Sequence, residues 1–264
     1  MRKYARVITV SLAMAVSSLL AACAPNMAAP KAPPPKPALD MFRDKQAYME
    51  QYFSPDVLPD QVTRTLATAD AKPVSFSRLM VTSHRRVFAN SGQAPTAYED
   101  RTEYENAGNG LVRMMVTVQS NGFDVSTDFS LSYRAYIGLL LQAVPSSTFS
   151  LPPVIEARSV EHFDPVMSSD NMNYAFHSGY VGNSRASSPY QMHCQAGRSY
   201  SAAVINASIR GMARQMQCQI TNTNGIITQS RTYGYLEQYG VAIMLHSKTA
   251  ANEQNVDVTD FKVE

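Results

Sequence analysis

The chain has 264 residues, a formal charge of +2, 45% hydrophobic and 17% charged side chains, and no Trp. It is long enough to bury one large core or two small ones, and its composition is that of an ordinary globular protein. The small positive charge comes from the extreme N-terminus, so the body has no basic excess for phosphate and nucleic acid is excluded as the default partner.

Residues 1–22 open with Arg2, Lys3 and Arg6. They continue as an apolar run from Val7 to Leu20, broken only by Thr9, Ser11, Ser17 and Ser18. The run is too short to span a bilayer comfortably and has the layout of a signal peptide. It ends in Leu20-Ala21-Ala22-Cys23, which resembles the lipobox of bacterial lipoprotein precursors. The resemblance implies cleavage before Cys23, diacylglycerol on its thiol and a further, palmitate-like chain on its new amino group. One acyl chain holds marginally, whereas two hold stably, so a membrane anchor is expected. Ala24 follows the cysteine, and by the same resemblance the outer membrane is favoured, on its periplasmic face. Removing residues 1–22 leaves 20 basic against 21 acidic side chains, a mature net charge of −1.

Residues 23–39 then form a tether rich in proline, with Pro25, Pro30, Pro33, Pro34, Pro35 and Pro37. In polyproline geometry its reach is roughly 50 Å. Residues 40–72 read as a helical segment. Asp40 is a candidate N-cap for a stripe of Met41, Phe42, Tyr48, Met49, Tyr52 and Phe53, and a second helix runs from Asp60 with Val62 and Leu66 inward.

From residue 73 to 264 the pattern is β-rich. Leu111 to Gln119 and Phe123 to Tyr133 flank Asn121-Gly122, a preferred hairpin pair. With those two as the loop, Val118 faces Val125, Val116 faces Thr127, Met114 faces Phe129 and Val112 faces Leu131, an apolar face opposite a wet one. A similar order of strand, Asn224-Gly225, strand and apolar run recurs about 103 residues later. It allows two related β-lobes, 73–150 and 190–264, although any two hairpins in a β protein would look alike. The expected fold class is therefore mainly β with a short N-terminal helical segment (α+β), built of antiparallel hairpins.

Once Cys23 carries lipid, Cys194 and Cys218 remain as an even pair in an oxidising compartment, and a disulfide is expected. Residues 164–192, rich in Ser, Asn, Gly and Tyr, read as a long irregular connection. They are the expected place for a binding surface through Tyr174, Phe176, His177, Tyr180, Arg185 and Tyr190. No catalytic motif is present: there is no G-x-S-x-G, no H-E-x-x-H, and no serine three residues before a lysine. Glu156, Glu161 and Asp164 could form a carboxylate pair with His162 nearby, and His84-Arg85-Arg86 could meet an anionic headgroup. Lys248 reads as a strand-end residue. No cofactor and no metal set is expected.

These features lead to a lipid-anchored periplasmic structural or assembly component of an envelope complex, for secretion, conjugation or maintenance, with envelope proteins as partners. The alternatives are a cell-wall or glycan-acting enzyme and a surface ligand-binding lipoprotein.

Overall fold

A computed structural model describes residues 38–70, 72–183 and 187–264. Cys23, the signal segment, residues 23–37 of the tether and Arg185 lie outside the described residues. The chain enters through three helices, α1 (Ala38–Arg43), α2 (Lys45–Tyr52) and α3 (Asp60–Ala69). Asp40 lies within α1 rather than capping a helix. Asp44 caps instead, its side chain accepting from the Ala47 amide, and splits the expected single helix in two.

Twelve strands follow. They are β1 (Arg78–Ala89), β2 (Thr96–Gly108), β3 (Leu111–Ser120), β4 (Phe123–Tyr133), β5 (Ile137–Pro145) and β6 (Ile155–Phe163), then β7 (Asn171–Tyr180), β8 (Ser188–Ser201), β9 (Met212–Thr221), β10 (Ile227–Leu236), β11 (Val241–Thr249) and β12 (Asn252–Val263). Each pairs antiparallel with the next, and β12 returns to β1, with Val81 opposite Phe261. The expected hairpins at Asn121-Gly122 and Asn224-Gly225 exist, but both belong to one continuous ring instead of two separate lobes.

The register of the first hairpin differs from expectation. Ser120 faces Phe123 and Gln119 faces Asp124 as the loop dictates, but a bulge at Val118/Gln119 then shifts the ladder by one residue. Val118 therefore opposes Ser126 and Val116 opposes Asp128, while Met115 opposes Phe129 and Leu111 opposes Tyr133. The slip is tolerated because neither face of β3 is simply wet. Leu111 and Met115 belong to one buried cluster, and Val112 packs into another. Side chains alternate along a strand, so the two clusters cover opposite faces of the sheet. The same alternation holds on β10 and β11, where Tyr235 and Ala242 join the first cluster and Leu236 and Val241 the second.

The helices cover the first cluster: Met49, Phe53, Val62 and Leu66 pack with Phe129, Leu131 and Tyr174. They also mend a seam. β5 and β6 pair at only two positions, Leu140–Glu156 and Leu141–Ile155. Further along β6, the Gln61 amide of α3 donates to the Val160 carbonyl and accepts from the Val160 N–H, both at 2.9 Å. A side-chain amide thus takes the place of a missing strand neighbour. A second seam lies between β11 and β12, which pair only over His246–Lys248 with Glu253–Asn255.

Residues 164–192, expected to be a long loop, are mostly β7 and the start of β8. Met172, Tyr174 and Phe176 point into the first cluster at period two, as Met192 and Cys194 do opposite them. After Ser201 the chain leaves the sheet through a short 3₁₀ turn at Ala202–Val204.

Candidate functional site

The widened β11–β12 seam holds a cleft lined by both apolar and polar side chains. Its floor comes from one face of five successive strands: Tyr200 of β8, Gln215 of β9, Thr232 of β10, Leu245 of β11, and Val256 and Val258 of β12. The connection from β8 to β9 folds over it as a flap carrying Val204 and Ile205. The flap is fastened to β12 by side chains: Asn206 Nδ2 donates to the Val258 carbonyl at 3.0 Å and Ser208 Oγ to the Phe261 carbonyl at 3.4 Å. Buried Ala202 and Ile209 root its two ends in the second cluster. Gly234 lets it sit close, because a Cβ there would lie 2.5 Å from Ile205 Cδ1 and 3.0 Å from the Tyr200 hydroxyl.

The cavity measures about 450 Å³, within the range of small-molecule sites. Val204 at the flap is 76% exposed, and Arg198 and Asp257 add charged groups to the lining. Burial pushes the Tyr200 phenol above its ordinary value, so it is a neutral hydrogen-bonding group. An apolar chain with a polar end matches this lining.

The residues expected to form a binding surface divide between interior and exterior. Tyr174 and Phe176 are core, with the Tyr174 and Tyr136 hydroxyls 2.7 Å apart, and burial raises both phenols. Tyr190 packs beside Phe176 with ring centroids 6.3 Å apart, and burial lifts its phenol to about 12. Tyr180 is exposed, and His177 sits on the surface with Nε2 2.7 Å from Glu161 Oε1 and Nδ1 3.5 Å from Ser187 Oγ. Sequence spacing gave no sign of that Ser187–His177–Glu161 array, because strand pairing alone brings residues of β6, β7 and the turn before β8 together.

The other candidate groups are committed elsewhere. Glu156 pairs with Arg158 at 3.1 Å and Asp164 with His162 at 3.0 Å. Arg85 grips Asp100 through two bonds of 2.6 and 3.0 Å, and its guanidinium lies 4.7 Å from the Tyr98 ring centroid. Arg86 pairs with Asp257 at 3.0 Å, so the His84-Arg85-Arg86 run is largely neutralised. Lys248, near the end of β11, meets Glu253 at 3.2 Å. Among the described residues no group of three His, Cys, Asp or Glu side chains is arranged to hold a metal.

Cys194 and Cys218 form a disulfide. They are directly opposed on β8 and β9 and fully buried in the first cluster, so the bond staples two neighbouring strands. Sequence reasoning missed the strongest buried polar site altogether. Asp70, which ends α3, accepts from the Tyr133 hydroxyl at 2.5 Å and from Arg134 Nε at 2.9 Å. Arg134 also donates to the carbonyls of Gly240 and Lys72 at 3.0 and 2.7 Å. Burial alone would raise the Asp70 carboxyl, but the bonds from Tyr133, the Lys72 amide and Arg134 outweigh it and hold the group below its ordinary value.

No family model matches this sequence. No curated protein matches it either. Solved structures that superpose on it in part include a LolA superfamily protein from Nitrosomonas europaea, at 12% identity over 78% of this chain and 94% of that one, with a TM-score of 0.37. A DUF1329 family protein from Desulfovibrio piger aligns at 8% identity over 76% and 90%, also with a TM-score of 0.37. A domain from Vibrio parahaemolyticus, named for outer membrane lipoprotein sorting, aligns at 7% identity over 77% and 91%, with a TM-score of 0.39. At these scores the likeness carries no inference about what this chain does.

Proposed function

We propose that the chain is a lipid-anchored periplasmic component of the bacterial envelope, held at the outer membrane through Cys23, whose body binds an acyl chain in the β11–β12 seam. The observation that carries this reading is the cleft itself: a floor spanning five strands, with Leu245, Val256 and Val258 as its apolar part, under a flap held by two side-chain hydrogen bonds. A flap fastened by Asn206 and Ser208 can lift without breaking strand pairing. Each methylene transferred from water into the cleft contributes about 0.8 kcal/mol. The lipobox-like segment and the proline-rich stretch after it support this reading, because acyl chains are the abundant ligand at a membrane surface. A protein of this kind would serve envelope assembly or maintenance.

Titration with the fluorescent fatty acid cis-parinaric acid tests the reading. Saturable binding that falls at least tenfold in Leu245→Asn, with the melting curve little changed, is the expected result. Absence of saturable binding, or equal binding by Leu245→Asn, would overturn it.

A second reading, a hydrolase acting on an envelope ester, is favoured by the Ser187–His177–Glu161 array. It expects covalent labelling of Ser187 by a fluorophosphonate and loss of labelling in His177→Ala. An unlabelled Ser187 would dispose of it.

A further inference from the structure

The exposed large apolar side chains are concentrated at one end of the ring. In an antiparallel ring, alternate connections emerge at the same end, so those joining β1–β2, β3–β4, β5–β6, β7–β8, β9–β10 and β11–β12 form one rim. Phe149 in the β5–β6 connection is 100% exposed, Phe123 beside the β3–β4 turn 75%, and Ile226 before β10 60%. Val125, Tyr180 and Val181 add to them on neighbouring strands and turns. Single exposed apolar residues need no explanation, but apolar tips repeated around one rim do.

The described residues of the same connections, 90–95, 121–122, 146–154, 181–183, 187, 222–226 and 250–251, include no charged side chain. The connections at the other rim include Asp164, Asp170 and Glu237. Asp124, next to Phe123, is the acid nearest the apolar tips on that hairpin. It is held by the Gln119 amide at 2.7 Å and by Lys45 at 3.5 Å. That Lys45 contact also brings the start of α2 close to this rim, only a few residues after the tether.

We propose that this rim docks on a lipid bilayer, with the Phe and Ile tips set into the headgroup layer. Hairpin tips that are apolar, aromatic and free of carboxylates suit an interface whose headgroups are zwitterionic or anionic, and aromatic rings favour that depth. The proline-rich stretch before α1, residues 23–37, would reach roughly 45 Å if extended as polyproline, enough for the rim to reach back to a membrane holding Cys23. Only this tether argument rests on the anchor reading; the rim's chemistry does not. Docking would hold the seam cleft's flap, which belongs to the opposite rim, away from the surface and open to the periplasm.

The absence of Trp makes the test direct. The full chain, purified as processed by its bacterial host, carries a single Trp as Phe123→Trp, Phe149→Trp or, on the opposite rim, Met212→Trp. Each variant is mixed with phosphatidylethanolamine and phosphatidylglycerol vesicles with or without brominated acyl chains. The expected result is a blue shift and at least a twofold bromine quench at positions 123 and 149, and neither at 212. Quenching at all three, or at none, overturns the proposal. The latter holds even if a protein partner shields Phe149 instead, since the rim would then be a protein interface. Mass measurement of the same samples separates the two readings. An acylated chain with silent probes keeps the anchor and removes rim docking, whereas quenched probes on a chain without acyl groups keep the rim and remove the anchor. The double variant Phe123→Asp/Phe149→Asp, in a Cys23→Ser background, is expected to lose at least fivefold in vesicle association. Unchanged association would also count as refutation.

Discussion

Replacing Arg134 with Met is the sharpest test of what closes the ring from within. Arg134 is 2% exposed and its three donors go to Asp70, Gly240 and Lys72, so it ties α3, the β4–β5 turn and the β10–β11 turn to one point. Its carbonyl also accepts from the Ala242 amide at 3.0 Å. Met keeps much of the volume but leaves the Asp70 carboxylate buried without its cation, and such a loss costs about 3–5 kcal/mol. Urea unfolding followed by circular dichroism at pH 7 is expected to show a destabilisation of about 4 kcal/mol, a large share of a typical total. The difference should depend on pH in one direction. In the parent protein the Asp70 carboxyl sits below its ordinary value of 3.8, so the pair's contribution is complete above that value and is lost as pH falls through the lower folded one. In Arg134→Met, protonation relieves the stranded charge, so the gap narrows in acid. A gap under about 1 kcal/mol at pH 7 would place the pair among weak surface-like bridges and refute the reasoning. So would an identical gap in acid.

Reduction of the Cys194–Cys218 bond, or its double replacement by Ala, is expected to cost about 3.5 kcal/mol by the chain-entropy estimate for a loop of this length, read as a lower urea midpoint. Gln61→Leu removes the amide that pairs with both backbone groups of Val160 and is expected to cost about 2 kcal/mol. Hydrogen exchange at the Val160 amide should accelerate in that variant, and unchanged protection would show that β6 needs no help from α3. Gly240→Ala is expected to destabilise, because its φ is +70° and a Cβ would lie 2.8 Å from Arg134 Nη1, and thermal melting compares it with the parent. Cys23→Ser is expected to release the chain from membranes in cell fractionation, and retention in the membrane pellet would assign its placement to protein contacts.

Local patterning is enough to find the hairpins, the helical entry and the cysteine pair. It fails where both faces of a strand are buried. The alternation in β3 and β4 selects a register only if one face is wet, and here Val112 and Leu111 are both covered, so a bulge at Val118 could take over. The β7 segment reads as a loop because the stretch that contains it, residues 164–192, is rich in Ser, Asn, Gly and Tyr. The signal that could have found it is the period-two run Met172, Tyr174, Phe176. The seam cleft had no local signature, since its lining comes from five strands and a flap far apart in sequence. Nor did the Asp70–Arg134 pair, which depends on Arg134 and Ala135 both taking left-handed backbone at φ 47° and 63°.

The pairing of β1 with β12 makes the ring a structure whose first and last strands wait for each other. Arg78 and Glu264 exchange backbone hydrogen bonds across about the whole length of the body. Every strand added before β12 leaves β1 with a naked edge, and such edges invite pairing with other chains. Long-range closure of this kind is slow. A polypeptide that closes its sheet only once β12 has been added therefore depends on being kept apart from its own copies while the sheet is open.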